Sequence, residues 1–142
     1  MKQTSKGFTI VELLIVIVVI AILATISIIA YNGMQAKARD TSRSNTLTSV
    51  KKALEYYYTQ NDKYPTVSGC VDAGCNVTNL RPTLVPTYIS AIDGDPGSSS
   101  LIYYIVNPTG SGYGMRVSYE TKSACKYISP QGNTGWWGNI DC

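Results

Sequence analysis

Only a few side chains in this sequence could support chemistry, and they do not form a recognisable catalytic set. The 142-residue chain has no histidine, and no nucleophile stands in a motif with a general base. Its four cysteines lie at positions 70, 75, 125 and 142, without a CxxC pair. Such an even number favours disulfides in an oxidising compartment over a zinc site. We therefore expect neither an enzyme nor a bound cofactor.

Two other motifs carry only weak signals. Asp93 and Asp95 flank a glycine and could provide oxygen ligands, but calcium prefers about six to eight, and no further acids follow at EF-hand spacing. These aspartates are weak calcium candidates, and a turn is the favoured interpretation. Residues 110–114 are rich in glycine, but they join two predicted strands and do not open a helix. Phosphate binding there is not expected.

One acid, Glu12, lies inside a long apolar segment. From Phe8 to Tyr31 it is the only charged residue. As a helix rising ~1.5 Å per residue, this segment spans about 36 Å, enough to cross a hydrocarbon core of ~30 Å. It is too long for the apolar region of a cleaved secretory signal, which has roughly 7–15 residues. A plain single-pass anchor would account for the hydropathy, so the local order of residues has to decide the function.

That local order, KGFTIVELL at residues 6–14, resembles the type IV prepilin signature. Type IV pilins and the pseudopilins of type II secretion and competence systems share a short basic leader, a glycine before the cut, an aromatic first mature residue and a glutamate four residues later. The resemblance implies that a prepilin peptidase cuts between Gly7 and Phe8, and that Phe8 is then N-methylated. The new amine has a reference pKa of ~7.7–8.0 and is mostly cationic at neutral pH.

Two partners compete for the Glu12 carboxylate. Within its own chain, the helix dipole stabilises an acid in the first turn, and the acid can also reach the new Phe8 amine. Between chains, Glu12 can meet the Phe8 amine of a neighbouring subunit, and a wrong register would leave a buried charge unmatched. We expect the inter-subunit role. The resemblance further implies a prepilin peptidase/N-methyltransferase, identical or related pilin subunits, an assembly ATPase and a platform protein as partners.

The remaining sequence predicts an α+β fold in which a long N-terminal spine helix packs on a small antiparallel sheet. Leu47, Val50, Leu54 and Tyr57 recur at helical spacing and predict a stripe that faces the core. Residues 66–100 are expected to be irregular, with one helical turn near 79–85. Three strands are predicted, at 101–106, 113–120 and 125–129.

The predicted organisation has four parts and a disulfide-stapled head. They are a cleaved leader at 1–7, a transmembrane helix at 8–31, an amphipathic continuation at 32–60 and a globular head at 61–142. Four cysteines allow three pairings. We expect Cys70–Cys75, which closes a tight loop, and Cys125–Cys142, which resembles the disulfide-bounded C-terminal loop of many pilins. The disulfides favour a head outside the cytoplasm. The resemblance implies a single-pass subunit of the cytoplasmic membrane before assembly and an extracellular filament at the cell surface afterwards.

Charge argues against nucleic acid as a ligand of the head. From residue 54 onward, five basic residues stand against seven acidic ones, a net charge of −2. The positive charge of the chain lies in the leader and at helix positions 37–52, where it is expected to face lipid headgroups or neighbouring subunits. The sequence favours a structural subunit that polymerises into a type IV pilus-like filament. A secretion or competence pseudopilin and a non-polymerising, membrane-anchored binding module remain the alternatives.

Overall fold

The computed structural model describes residues 7–97, 101–132 and 135–136. These residues form an α+β fold, as the sequence predicts. The elements are α1 (Ile10–Asn61), β1 (Cys75–Asn76), a 3-10 helix (Val77–Leu80), α2 (Arg81–Leu84), β2 (Ile102–Val106), β3 (Tyr113–Val117) and β4 (Cys125–Ile128).

The chain divides into two compact units, residues 1–35 and 36–142. The first unit contains the apolar beginning of α1. The second contains the remainder of α1 together with the whole sheet. The helix ends at Asn61 because Asp62 adopts a left-handed conformation (φ 53°), and its N–H bonds to the Tyr58 carbonyl oxygen.

The sheet is antiparallel, with the strand order β1-β2-β3-β4. The three predicted strands are present, although β3 ends at Val117, three residues earlier than predicted. The reason is that the N–H groups of Glu120 and Thr121 donate to the Asp40 carboxylate and are lost to the ladder. The prediction of irregular structure from 66 to 100 missed β1, since two residues are too few to show an alternating pattern.

The core of the second unit lies between α1 and one face of the sheet. Leu47, Val50 and Leu54 are buried there, which confirms the predicted helical stripe. Across from them, the sheet presents Tyr104 and Met115, both fully buried. Several aromatic rings add specific contacts to this apolar burial, which is the main stabilising term.

Glu55 joins the last turns of α1 to this core. Its carboxylate accepts hydrogen bonds from the hydroxyl groups of Tyr64 (3.0 Å) and Tyr113 (2.9 Å). Burial and the nearby carboxylate raise the pKa of both phenols, so the hydroxyls stay protonated donors. The rings of Tyr64 and Tyr113 also pack 4.4 Å apart, centroid to centroid.

The opposite face of the sheet carries a second, smaller apolar cluster. Trp136 is buried against this face over Gly114, and any Cβ at position 114 would come within 3.0 Å of its ring. The same Cβ would approach the side chains of Ile105 and Ile128 to 3.1 Å. A side chain at position 114 would therefore require Trp136 and its neighbours to shift from their present positions.

Candidate functional site

The predicted cleavage junction lies on accessible backbone just before α1. Gly7 has no atom within 4 Å of the place where a side chain would begin, and Phe8 is 92% exposed. The helix starts two residues later, at Ile10. The bond between Gly7 and Phe8 is therefore open to a protease from the side of the glycine, although cutting itself stays a prediction.

Glu12 is engaged by its own chain at the first turn of α1. Its Oε2 accepts hydrogen bonds from the backbone N–H of Thr9 (2.8 Å) and from the Thr9 hydroxyl (2.9 Å). In return, the Glu12 N–H donates to the Thr9 hydroxyl oxygen at 3.3 Å. This reciprocal pair is a capping box, which satisfies N–H groups that a helix start would otherwise leave unpaired.

Thr9 is the functional residue that the sequence analysis missed. The signal was available as Thr-x-x-Glu directly before an apolar run. Its presence means that the Glu12 carboxylate lies within the helix start, hydrogen-bonded to the Thr9 nitrogen, one residue after the nitrogen that cutting would free. The pairing of Glu12 with a Phe8 amine, within the chain or between subunits, stays a prediction.

The first unit leaves its apolar side chains uncovered. Leu13, Ile20 and Ile29 are 65%, 59% and 72% exposed, and α1 is long and apolar enough to cross a membrane. The hydroxyl groups of Thr25 and Ser27 donate to backbone carbonyl oxygens four residues earlier, both at 2.8 Å. With these donors satisfied internally, the segment suits a hydrocarbon environment.

A buried charge cluster joins α1 to two loops of the second unit. The Arg43 side chain is only 1% exposed, and its guanidinium donates to Asp95 through two hydrogen bonds of 2.9 Å. It also pairs with Asp40 at 2.8 Å and with Glu120 at 2.9 Å. Arg39 forms a second fork on Glu120. We call these five residues, Arg39, Asp40, Arg43, Asp95 and Glu120, the Arg43 cluster.

The Arg43 cluster corrects one expectation from the sequence. Arg39 and Arg43 were expected to face lipid headgroups or neighbouring subunits, but both pair with carboxylates of their own head. Burial alone would raise the pKa of Asp40, but hydrogen bonds from Glu120, Thr121 and Arg43 outweigh it and lower the pKa to about 2. The cluster therefore stays fully ionised at neutral pH.

The two weak calcium candidates lie in different environments. Asp95 directs both carboxylate oxygens to Arg43, a cation that would repel a metal ion at this position. Asp93 is exposed two residues earlier. Within the described ranges, no three histidine, cysteine or acidic side chains come together as a metal site would require.

The cysteines follow the predicted pairing as far as the structure describes them. Cys70 and Cys75 form a disulfide that closes the loop leading into β1. Cys142 lies outside the described residues, so the Cys125–Cys142 pairing stays a prediction. Trp137, which follows the buried Trp136, also lies outside the described residues.

The arrangement defines a class of protein. An apolar helix of membrane-spanning length begins with a capping box, and its apolar side chains are exposed. A small α+β head with a disulfide follows it in the chain. The described residues contain no catalytic set. In such a chain, the exposed apolar segment must be covered by lipid or by other protein.

Comparisons with known proteins narrow the class. Residues 2–28 match a family model described as the prokaryotic N-terminal methylation motif. The chain is 32% identical to the type II secretion system core protein G of Aeromonas hydrophila, over 66% of this chain and 62% of that protein. It is 28% identical to core protein G of Escherichia coli K12, over 95% and 90%. It is also 35% identical to the type IV major pilin protein PilE1 of Neisseria gonorrhoeae, over 46% and 39%.

No solved structure matches the chain. The chain carries the prokaryotic N-terminal methylation motif, and the relatives to which it is similar are type II secretion core proteins G and a type IV major pilin. It is a pilin-like structural subunit, as the sequence predicts.

Proposed function

We propose that this chain is processed between Gly7 and Phe8, N-methylated at Phe8, and polymerised into a filament held together by its apolar helices. The observation that carries this proposal is the position of Glu12. It is a carboxylate in the first helical turn, beside the future amine and at the head of an uncovered apolar surface. Prepilin peptidase would be the enzyme that cuts and methylates.

Cutting would change the electrostatics around Glu12. In the uncut chain, the Phe8 nitrogen is part of an amide, and Thr9 satisfies the carboxylate. After cutting, a cationic amine would lie next to the capping box and could pair with Glu12 of its own chain or of a neighbour. Within a packed bundle of apolar helices, an unmatched carboxylate costs several kcal/mol, so pairing between subunits would fix their axial register.

The uncovered apolar surface explains where the subunit resides before and after assembly. Side chains such as Leu13 and Ile20 need lipid around them in the monomer, which supports a subunit anchored in the cytoplasmic membrane before assembly. The head would lie on the outer side, where its disulfide could form. In a filament, neighbouring helices would cover the same side chains. Transfer from one environment to the other would require the assembly ATPase and platform protein that the family resemblance implies.

A secretion pseudopilus is a second candidate for the filament. The specific observation in its favour is that similarity to core protein G of Escherichia coli extends over nearly the whole of both chains. The match to the gonococcal pilin covers less than half of this chain. Imaging of material sheared from cells would separate long surface fibres from short pseudopili.

The proposal is tested by Glu12→Gln in cells that contain a prepilin peptidase. We expect normal membrane insertion and normal cutting, but loss of sheared filaments. Asp93→Asn is a matched control, since it neutralises an exposed acid of the head without described contacts. Normal filament yield from Glu12→Gln would contradict the register role. Absence of filaments from the unchanged chain as well would support a non-polymerising binding module.

A further inference from the structure

The outward face of the sheet carries a row of polar side chains. The strand register places Asn76 opposite Tyr103, Tyr103 opposite Arg116, and Arg116 opposite Lys126. Residues directly opposite each other in antiparallel strands project from the same face. An amide, a phenol, a guanidinium and an ammonium group therefore follow one another across four strands.

Arg116 is the unusual member of this row, because its charge has no partner among the described residues. Its Nε is buried and makes no hydrogen bond, and none of the described carboxylates forms an ion pair with its guanidinium. Lys126 is directly opposite, a pairing of like charges that destabilises a sheet. The Lys126 ammonium group donates to the Trp136 carbonyl oxygen at 3.2 Å.

The partly buried Arg116 guanidinium thus lies opposite a second cation and lacks a carboxylate partner among the described residues. Because Nε is itself covered by protein, an anionic ligand would be bound by the terminal N–H groups of Arg116, through charge-assisted hydrogen bonds. The planar guanidinium fork suits a carboxylate or another flat oxyanion better than a point charge does. The Arg43 cluster provides a contrast within the same head, because Arg43 is surrounded by three carboxylates.

Arg116 lines a cavity that could hold such a ligand. The cavity has a volume of about 270 Å³, and its walls include Tyr103, Ser118 and the backbone at Gly74. This volume is below the ~300–1,000 Å³ of typical ligand sites, so it suits one small unit of a larger molecule. The Tyr103 ring, 36% exposed, offers a flat face, and the hydroxyl group of Ser118 offers a polar contact.

We propose that Arg116, Tyr103 and Ser118 form a site for one acidic sugar unit, of the uronic-acid type, within an extracellular polysaccharide. Arg116 binds the sugar carboxylate, the Tyr103 ring packs on the sugar ring, and Ser118 bonds to a sugar hydroxyl. The head as a whole has a net charge of −2 from residue 54 onward, which disfavours a densely charged nucleic acid. A sparsely charged chain of sugars needs only one cation for each unit bound.

The test measures binding of a short oligogalacturonate to the full chain in detergent micelles by isothermal titration calorimetry. Its methyl ester is the matched probe, because esterification removes the charge and keeps the sugar. We expect Arg116→Gln and the methyl ester each to weaken binding by about tenfold or more. Lys63→Gln, which removes an exposed charge of the same head, should leave binding unchanged.

Two further variants make the outcome independent of any folding defect at position 116. Tyr103→Ala should weaken binding several-fold, since it removes only the packing face. Arg116→Lys should also weaken it, since the charge remains but the fork is lost. Unchanged binding by Arg116→Gln, equal binding of the methyl ester, or no binding of oligogalacturonate by the unchanged chain would overturn the proposal.

Competition decides the class of ligand. Tighter binding of single-stranded DNA would assign the site to nucleic acid, and tighter binding of polyglutamate would assign it to an acidic protein surface. Either result would overturn the saccharide assignment. Filament assembly does not enter this measurement, so failure here and failure of the proposed function can be told apart.

Discussion

Replacing Arg43 by methionine should destabilise the head strongly. Methionine is unbranched and has a similar volume, so the substitution removes the charge without opening a large cavity. What it leaves behind are carboxylates at Asp40 and Asp95, whose side chains are both only 5% exposed. The loss therefore comes from uncompensated buried charge.

The expected loss of unfolding free energy depends on the hydrogen bonds that each carboxylate retains after the substitution. Removing one partner of a buried ion pair typically costs about 3–5 kcal/mol. Asp40 retains hydrogen bonds from the N–H groups of Glu120 and Thr121, and Asp95 retains one from the N–H of Gly97. These remaining donors place the expected loss for Arg43→Met near the lower end of that range, at about 3 kcal/mol.

The assay is urea unfolding of the full chain in detergent micelles, followed by near-ultraviolet circular dichroism of the packed aromatic side chains. Lys52→Met is the matched control, since Lys52 is an exposed cation on the same helix, and it should change the free energy of unfolding by no more than about 0.5 kcal/mol. Arg43→Lys should fall between the two, because it keeps the charge but loses the fork on Asp95.

A double-mutant cycle identifies the cause of the loss. Asp95→Asn in the Arg43→Met background should cost less than it does alone, with a coupling free energy of about 0.5–3 kcal/mol. A loss below about 1 kcal/mol for Arg43→Met, or the same loss for Lys52→Met, would refute the reasoning that buried charge pairing holds these loops.

Three further predictions address other parts of the chain. The fold lowers the pKa of Asp40 from 3.8 to about 2. Its contribution of about 2 kcal/mol to the free energy of unfolding should therefore be present above pH ~4 and disappear as pH falls toward 2. Urea midpoints measured across this range should decrease as the pH falls, and Asp40→Asn should make that decrease smaller. Gly114→Ala should displace Trp136 at a cost of about 1–3 kcal/mol and weaken the near-ultraviolet dichroism, whereas Gly94→Ala, with no atom closer than 4.0 Å, should not. Thr9→Ala should destabilise the first turn of α1 by about 1 kcal/mol, seen as faster amide hydrogen exchange there; unchanged exchange would contradict the capping box.

Local patterns predicted the elements well. The helical stripe at Leu47, Val50 and Leu54 is buried as expected, because periodic apolar residues have only one favourable face to hide. The strands around Tyr104 and Met115 followed from alternating β-branched and aromatic residues.

Contacts between distant parts of the sequence were beyond prediction from local patterns. Arg43 pairs with Asp95 and Glu120, which lie 52 and 77 positions away, and no spacing rule connects them. A charged residue on a helix is usually solvated, so the cations at positions 37–52 were expected to face lipid headgroups or neighbouring subunits. The Thr9 capping box was different, because its signal was local and could have been read.

The central claim is that the chain is cut, methylated and disulfide-bonded as a filament subunit. The most direct test is the intact mass of the native protein, measured without reduction, from cells that contain a prepilin peptidase. The account predicts the mass of the segment from Phe8 to Cys142 plus one methyl group, less the hydrogens lost in two disulfides. A mass that corresponds to the chain from Met1 would show that the signature is not cut, and the role proposed for Glu12 would fail with it.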